Sequence, residues 1–360
     1  MIGILGGCGD IGGKLSQILS NETEEVIRIG GRHKKHTVQF DNKHFAWMQA
    51  DVSDAGSLRA FVDGCRIVVN CAGLKKESSA QVAEITTDAG SHYVDLGAAE
   101  QSPSSLKGNS GLCAVYGAGS MPGLSGLLPR WLSKKFDRVF DLEFYYAGLG
   151  SFTETAARDY LEGLSDSQNK AIAIWKDGRA VPFTSQSARI KVSQQYVRAF
   201  PYFDEESSFV AQELRLKNGV WYMGIDGDCT CKALEKIKYN YMRNPYEAVK
   251  DLCAASKADC AARKGYAGML IQLNGERSGR KKTETLRCLF RSPSHFTASA
   301  TAAVVLAISK HKMPKGSYLL GKSPHTEGYT EELMKIAPSG GIQIYEHTIG
   351  ELYEEVEGAL

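Results

Sequence analysis

The chain opens on a short apolar run, Ile2-Gly3-Ile4-Leu5, which enters Gly6-Gly7-Cys8-Gly9-Asp10-Ile11-Gly12 and continues into a segment with apolar residues at Leu15, Ile18 and Leu19. Four consecutive apolar residues followed by apolar positions three and four apart read as a strand, a turn and an amphipathic helix. In that setting Gly7, Gly9 and Gly12 match G-x-G-x-x-G, and the pattern acquires a physical meaning. Gly7 is expected to allow the tight turn, Gly9 to let backbone approach a pyrophosphate, and Gly12 to let the helix pack closely on the strand. Asp10 and Ile11 then open a helix whose N-terminus offers free N–H groups and a positive dipole end to an anion. The chain is therefore expected to bind a dinucleotide.

A second strand over Glu25 to Ile29 ends at Gly30-Gly31-Arg32-His33-Lys34-Lys35. About 20 residues beyond the last glycine an NAD site places Asp or Glu against the ribose 2′-hydroxyl. Here that place holds Gly31 and Arg32, while the nearest acids, Glu25 and Asp41, lie before and after the strand. A guanidinium stands where a 2′-phosphate would be gripped bidentately, with His33 and Lys34 beside it. NADP(H) is predicted over NAD(H).

The alternation continues through Phe45 to Asp51-Val52, a helical Ala55 to Val62, a strand over Arg66 to Val69 ending in Asn70-Cys71-Ala72-Gly73, and a helical Ala80 to Ala89. The strands His92 to Gly97 and Leu112 to Tyr116 follow, the latter ending in Gly117-Ala118-Gly119-Ser120-Met121-Pro122-Gly123. Small residues after successive strands let a cofactor lie across the carboxyl end of a sheet. Asp51, Val52, Cys71, Ala72, Gly73, Gly117 and Pro122 are candidate cofactor-lining positions. The fold class is predicted as α/β, a Rossmann doubly wound parallel sheet.

Over these segments the chain resembles the saccharopine dehydrogenase-like reductases, a group with saccharopine reductase, carboxynorspermidine dehydrogenase and lysine dehydrogenase. The residues that carry the resemblance are Gly7 to Gly12, Ala50-Asp51-Val52 with Leu58 to Val62, Val68 to Gly73, His92 to Leu96, and Met121-Pro122-Gly123-Leu124-Ser125. Their order and spacing cover about the first 130 residues; beyond them the likeness is one of layout. It implies a nicotinamide-dependent oxidoreductase acting at the carbon–nitrogen bond of an amino acid or an amino-acid or polyamine conjugate.

At 360 residues two domains are expected. Residues 1–121 form the first, completed by about 298–360, where the small apolar run Ala298 to Ile308 reads as a buried helix returning to it. Residues 122–297 form a second, α+β domain on a mainly antiparallel sheet, suited to substrate binding and a dimer face. Its candidate strands are Arg138 to Tyr146, Ala171 to Phe183, Gln212 to Ile225, and Met269–Leu273 with Thr285–Phe290, with Gly178, Gly219 and Gly275 at expected turns and helices over Thr153 to Leu164 and Pro245 to Ala262.

A net charge of +2, from 43 Lys+Arg and 41 Asp+Glu, argues against a dedicated nucleic-acid binder. The nine cysteines cannot all pair and lack C-x-x-C spacing, so free thiols, no metal and a cytoplasmic location are expected. No apolar run is long enough for a membrane span. Charge is nonetheless uneven: eight basic residues lie between Arg263 and Arg291, with Arg277, Arg280, Lys281 and Lys282 on an expected hairpin tip, and eight glutamates lie between Glu327 and Leu360.

Hydride transfer at nitrogen requires a group that moves a proton, drawn from the carboxyl ends of strands. Tyr93 and Asp95 share one face of their strand there, and His92 faces the other way. They are the candidate catalytic pair, with a core role for Tyr93 and a turn-capping role for Asp95 as the competing reading. Arg158, Arg189, Arg198 and Arg291 are available for a substrate carboxylate. Two alternatives remain. One is a short-chain-type NADPH carbonyl reductase, for which Tyr246…Lys250 and Tyr318…Lys322 match Tyr-x-x-x-Lys but fall late in the chain. The other is a non-catalytic NADPH-binding sensor.

Overall fold

The structure is a computed structural model. It describes residues 1–33, 44–100, 103–106, 111–165, 173–183, 188–193 and 195–358. In chain order the elements are β1 (Ile2–Leu5), α1 (Asp10–Glu22), β2 (Ile27–Gly31), β3 (Phe45–Gln49), α2 (Ala55–Val62), β4 (Ile67–Asn70), α3 (Lys76–Asp88), β5 (His92–Asp95), β6 (Cys113–Tyr116) and α4 (Leu124–Ser133). They continue as β7 (Arg138–Leu149), α5 (Glu154–Ser165), β8 (Ala173–Lys176), β9 (Arg179–Pro182), β10 (Ala188–Lys191), β11 (Tyr196–Pro201), α6 (Glu205–Glu213), β12 (Asn218–Ile225), α7 (Asp228–Arg243) and α8 (Pro245–Cys260). The chain ends with β13 (Tyr266–Arg277), β14 (Arg280–Phe290), α9 (Pro293–Ser309), β15 (Gly316–Leu319), α10 (Glu327–Ile336), β16 (Ile342–Tyr345) and α11 (Ile349–Gly358).

Two compact units result. The first comprises Met1–Leu127 and Ser294–Ile336. Its seven-stranded sheet has the order β15-β6-β5-β4-β1-β2-β3, and every pairing in it is parallel. Strands are added outward from β1 on one side and from β4 on the other, so the crevice at the carboxyl ends of β1 and β4 is the topological switch point at which such sheets bind ligands. The fold is the doubly wound parallel sheet expected of the sequence. Ile2, Ile4, Val68, Val69 and Val94 are fully buried, as continuous apolar strands must be when both faces of the sheet are covered. The small residues of α9, Ala298 through Ala307, are buried and carry Thr301 and Thr297 against the chain after β6. No helix among the described residues is long and apolar enough to cross a membrane.

The second unit comprises Leu128–Pro293 and Ala337–Leu360. The tail therefore divides: residues up to Ile336 lie with the first unit, whereas β16 pairs antiparallel with β14 of the second, instead of all of 298–360 completing the first. The nine-stranded sheet, β10-β11-β12-β7-β13-β14-β16 with β8 and β9 attached, is antiparallel apart from the β12–β7 pair. Of the three expected turn glycines only Gly178 makes a turn, at φ 77°. Gly219 lies inside β12, where the Trp221 ring leaves no room for a Cβ, and Gly275 lies inside β13 at a register shift against β7. Close approach, not turn formation, explains both glycines. Gln212 to Leu216 is the end of α6 and a loop, not strand, because the Asp204 carboxylate caps that helix through the Ser207 N–H.

Candidate functional site

The glycine turn after β1 is built by three different constraints. Gly6 has φ +74°, the left-handed backbone that favours glycine, so the sharp turn belongs to Gly6 and not to Gly7 as the motif alone implied. Gly7 is needed because a Cβ there would lie 2.7 Å from the Ile29 side chain on β2. At Gly12 a Cβ would meet the Gly6 carbonyl oxygen at 2.4 Å, so the first turn of α1 can rest on the loop only if that position is bare. Gly9, exposed at the N-cap, makes no side-chain cap, and its backbone oxygen accepts from Gly13 N.

The first N–H groups of α1, those of Asp10, Ile11 and Gly12, have no intrahelical acceptor and point out of the helix beside Gly9. Free N–H groups and a positive dipole end of this kind are what a helix N-terminus offers to an anion. Asp10 is the one acid in the first turn. Burial would raise its pKa, but hydrogen bonds from Lys14 and Ser294 outweigh that and hold it below its ordinary value. The Lys14 ion pair one turn along offsets its charge, so the carboxylate does not cancel the dipole.

At the end of β2, Arg32 and His33 are exposed, and Lys34 lies outside the described residues. Gly31 O accepts from Ala50 N, which brings the end of β3 alongside. Asp51 accepts from the Ser53 N–H and hydroxyl at 2.9 and 2.7 Å, and these bonds, with a smaller contribution from Arg32, hold its carboxyl below the usual range. Asp51 is thus occupied in shaping the turn that carries Val52, and Arg32 projects a guanidinium at the strand end beside it.

The ends of β4 and β5 are joined by one buried network. Asp95 Oδ2 accepts from Tyr93 Oη at 2.6 Å, from Asn70 Nδ2 at 3.1 Å and from the Ser79 hydroxyl on α3. Its Oδ1 accepts from Gly97 N at 2.8 Å, and its backbone oxygen accepts from Ala118 N at 2.9 Å. Asn70 Oδ1 in turn accepts from Ala72 N at 3.0 Å. Through the Asp95 carboxylate, the Asp95 backbone oxygen and the Asn70 amide, these bonds hold the backbone at Gly97 after β5, Ala118 after β6 and Ala72 after β4. Tyr93 is fully buried and Asp95 is 4% exposed. Burial, then the neighbouring Asp95, pushes the Tyr93 phenol well above its ordinary pKa, and burial with Asp95 likewise pushes up the Cys71 thiol. Three donors converge on Oδ2 and one on Oδ1, and the Tyr93 hydroxyl proton is directed to Asp95. His92, at the other end of β5, accepts from Cys113 N at 3.1 Å.

Beyond β6, Gly117 has φ +60° and Gly123 φ +124°, and a Cβ on Gly123 would lie 2.3 Å from the Gly117 oxygen. The segment folds back on itself, with Pro122 over Gly117, and is anchored to α9 by Ser120···Thr297 at 3.0 Å and by Thr301 Oγ1 donating to Ala118 O at 2.8 Å. Sequence reasoning missed Asn70 and Ser79 as members of the network. Asn70 was visible only as part of a small-residue segment, and Ser79 lies on a helix whose buried face carries no distinguishing pattern. No three His, Cys, Asp or Glu residues among those described converge as a metal site.

Residues 2–110 match the family model described as the saccharopine dehydrogenase NADP-binding domain. This stretch of the chain is similar to that family. It is an NADP-binding domain, and the bare Gly9–Gly12 cradle and the arginine at the end of β2 are the features that fit NADP(H) within it. The whole chain has the fold of the apo saccharopine dehydrogenase (L-Glu forming) from Saccharomyces cerevisiae, with a TM-score of 0.70 at 11% identity over 96% of this chain and 99% of that one. The C. glutamicum DAP dehydrogenase in complex with DAP aligns over 92% of this chain and 94% of its own at 13% identity, with a TM-score of 0.47. No curated protein matches the sequence significantly. The match ends at residue 110 and so covers less than a third of the 360 residues.

Proposed function

We propose that the protein is an NADP(H)-dependent oxidoreductase that transfers hydride at the carbon–nitrogen bond of an imine or secondary amine, in an amino acid or an amino-acid or polyamine conjugate. The observation that carries this reading is the uncapped glycine turn at the start of α1 together with Arg32 at the end of β2, within residues that match the saccharopine dehydrogenase NADP-binding domain. The likeness of the full chain to a saccharopine dehydrogenase supports a substrate of amino-acid type.

NADP(H), when bound, supplies the hydride. The chain's own residues hold and orient it: the N–H groups at the start of α1 receive the pyrophosphate, Arg32 with His33 and Lys34 receives the 2′-phosphate, and Ala72, Gly73 and Gly117 leave the strand ends low enough for the cofactor to lie across them. Asp95 and Tyr93 act as positioning residues that hold the loops after β4 and β6 in one geometry. The second unit, Leu128–Pro293 with the C-terminal segment, is the substrate-binding part in this reading.

The test is loss of reduced-nicotinamide absorbance when the protein is incubated with NADPH, a keto acid or aldehyde, and a panel of amino acids and polyamines. Turnover with an amine and carbonyl pair is expected. Reduction of the carbonyl compound alone would favour the carbonyl-reductase alternative. Tight NADPH binding without turnover on any pair would favour a sensor.

A further inference from the structure

The basic cluster on the β13–β14 hairpin belongs to a larger feature that only the sheet register reveals. Lys281 on β14 pairs with Glu276 on β13, which pairs with Arg138 at the start of β7. The parallel neighbour of β7 is β12, and the residues leading into it are Arg215, Leu216 and Lys217. Three segments distant in sequence thus bring cations to one end of the second unit's sheet. Between them lies an open groove of about 690 Å³ lined by Arg138, Arg215 and Lys217, with Phe140, Asp141 and Asp177.

The groove is a built feature. Lys217 N donates to Phe140 O at 2.8 Å, Gly178 N donates to Lys217 O at 3.1 Å, and Asn218 Nδ2 donates to Asp141 Oδ1 at 2.8 Å, which locks β7, β12 and the β8–β9 turn together. The Arg138 guanidinium lies over the Phe140 ring at 5.1 Å. Asp177 and Arg215 both have positive φ, at 49° and 51°, as does Ser278 on the neighbouring hairpin at 51°. At Asp177 and Ser278 this is the backbone of two-residue hairpin turns, with Gly178 and Gly279 also at positive φ, and at Arg215 it is the left-handed residue that ends α6. None of Arg138, Arg215 and Lys217 is ion-paired with a carboxylate among the described residues, and all three are exposed. Lys176 and Arg179 flank the same turn, and Arg280 and Lys281 continue the row. Asp141, Asp177 and Glu276 lie among these cations and offset part of their charge, and the cations still outnumber them at this end of the sheet.

We propose that this groove binds a phosphate-bearing polyanion. Two guanidinium forks and an ammonium around a space too broad for one carboxylate match the spread charge and bidentate oxygens of linked phosphates. The site lies wholly within the second unit and is distinct from the cofactor cradle on α1 of the first. The ligand is either a free polyphosphorylated molecule or a phosphorylated lipid headgroup, which share this chemistry.

The experiment uses the full chain held at saturating NADPH, so that the cofactor's own phosphate sites are filled. Inorganic tripolyphosphate is titrated calorimetrically, and phosphatidylcholine vesicles with and without phosphatidylinositol bisphosphate are used for co-sedimentation. The variant combines Arg138→Gln, Arg215→Asn and Lys217→Gln; asparagine tolerates the backbone at 215, so the fold is kept, and an unchanged Tm verifies it. Lys264→Gln, an exposed cation on the same unit, is the control. We expect the triple variant to weaken binding by roughly tenfold or more while the control matches the parent. Binding of tripolyphosphate alone identifies a free ligand, and binding of the lipid vesicles alone identifies a headgroup. No binding of either probe, or equal loss in the triple variant and the control, overturns the site.

Discussion

Tyr93 Oη donates to Asp95 Oδ2 at 2.6 Å, two residues along the same strand, and both side chains are buried at the carboxyl end of β5. The period of two along a strand makes this contact, because it puts the two side chains on one face. The same carboxylate also receives Asn70, Ser79 and Gly97 N, so its four hydrogen bonds tie two strand ends, a helix and a turn. Asp95→Asn would place an amide donor against donors. Loss of about 1–3 kcal/mol of stability is expected, with weaker NADPH binding, measured by denaturant unfolding and by titration of the cofactor. Tyr93→Phe should cost less, about 1 kcal/mol, because Asp95 keeps its other donors. An Asp95→Asn protein with parental stability and cofactor affinity but no turnover would return Asp95 to a proton-transfer role.

Arg32→Asp should raise the NADPH dissociation constant far more than that of NADH, since only NADPH carries the 2′-phosphate that a guanidinium at the end of β2 would grip. Equal effects on the two cofactors would remove Arg32 from the site.

The glycine turn separates binding from folding. A methyl at Gly9 would lie 3.1 Å from the Gly6 oxygen, a contact that a small shift relieves, whereas at Gly12 the separation is 2.4 Å from the same backbone atom. Gly9→Ala is expected to keep the parental Tm and lose NADPH affinity by obstructing the phosphate. Gly12→Ala should lower both, by displacing α1 from its loop. Thermal melts beside fluorescence titrations distinguish the two, and the reverse order of effects would contradict the packing described for the loop.

Glu332 on α10 is buried and ion-paired with Lys310, Lys312 and Lys335. Burial alone would raise its pKa, but the lysines outweigh it and take the carboxyl from 4.5 to about 2. A folded pKa below the unfolded one means that the ion pairs stabilise the protein fully above pH 4.5 and are lost as pH falls from there through about 2. The lysines are partly exposed and therefore screened, so Glu332→Gln is expected to cost about 1–3 kcal/mol at neutral pH and to flatten the stability profile between those limits. Urea unfolding at several pH values measures both.

Tyr246 and Lys250, which fit the spacing of a short-chain reductase pair, sit on α8 of the second unit, where the Lys250 ammonium lies 4.2 Å from the Tyr246 ring centroid and the tyrosine is 60% exposed. Tyr318 is occupied too, its hydroxyl donating to Pro314 O at 2.9 Å. Tyr246→Phe should leave NADPH oxidation unchanged. Loss of turnover with an intact fold would support the carbonyl-reductase alternative.

Local chemistry was legible in the sequence wherever a short segment decides its own conformation. A strand entering Gly6 to Gly12, the small residues after each strand, and the small apolar run within α9 state the parallel sheet and its cofactor end, because the requirements of tight turns and close helix packing fall on consecutive residues. Arg32 at the end of β2 was readable for the same reason. What the tertiary structure alone decided depends on which distant residues become neighbours. It chose Gly6 for the left-handed turn, since φ is set by what the loop must pass, and brought Asn70 and Ser79 to the carboxylate that Tyr93 also reaches. It sent the last strand, β16, to the second sheet and aligned Arg138, Arg215 and Lys217, because register between strands far apart in the chain is settled by long-range pairing that no local pattern records.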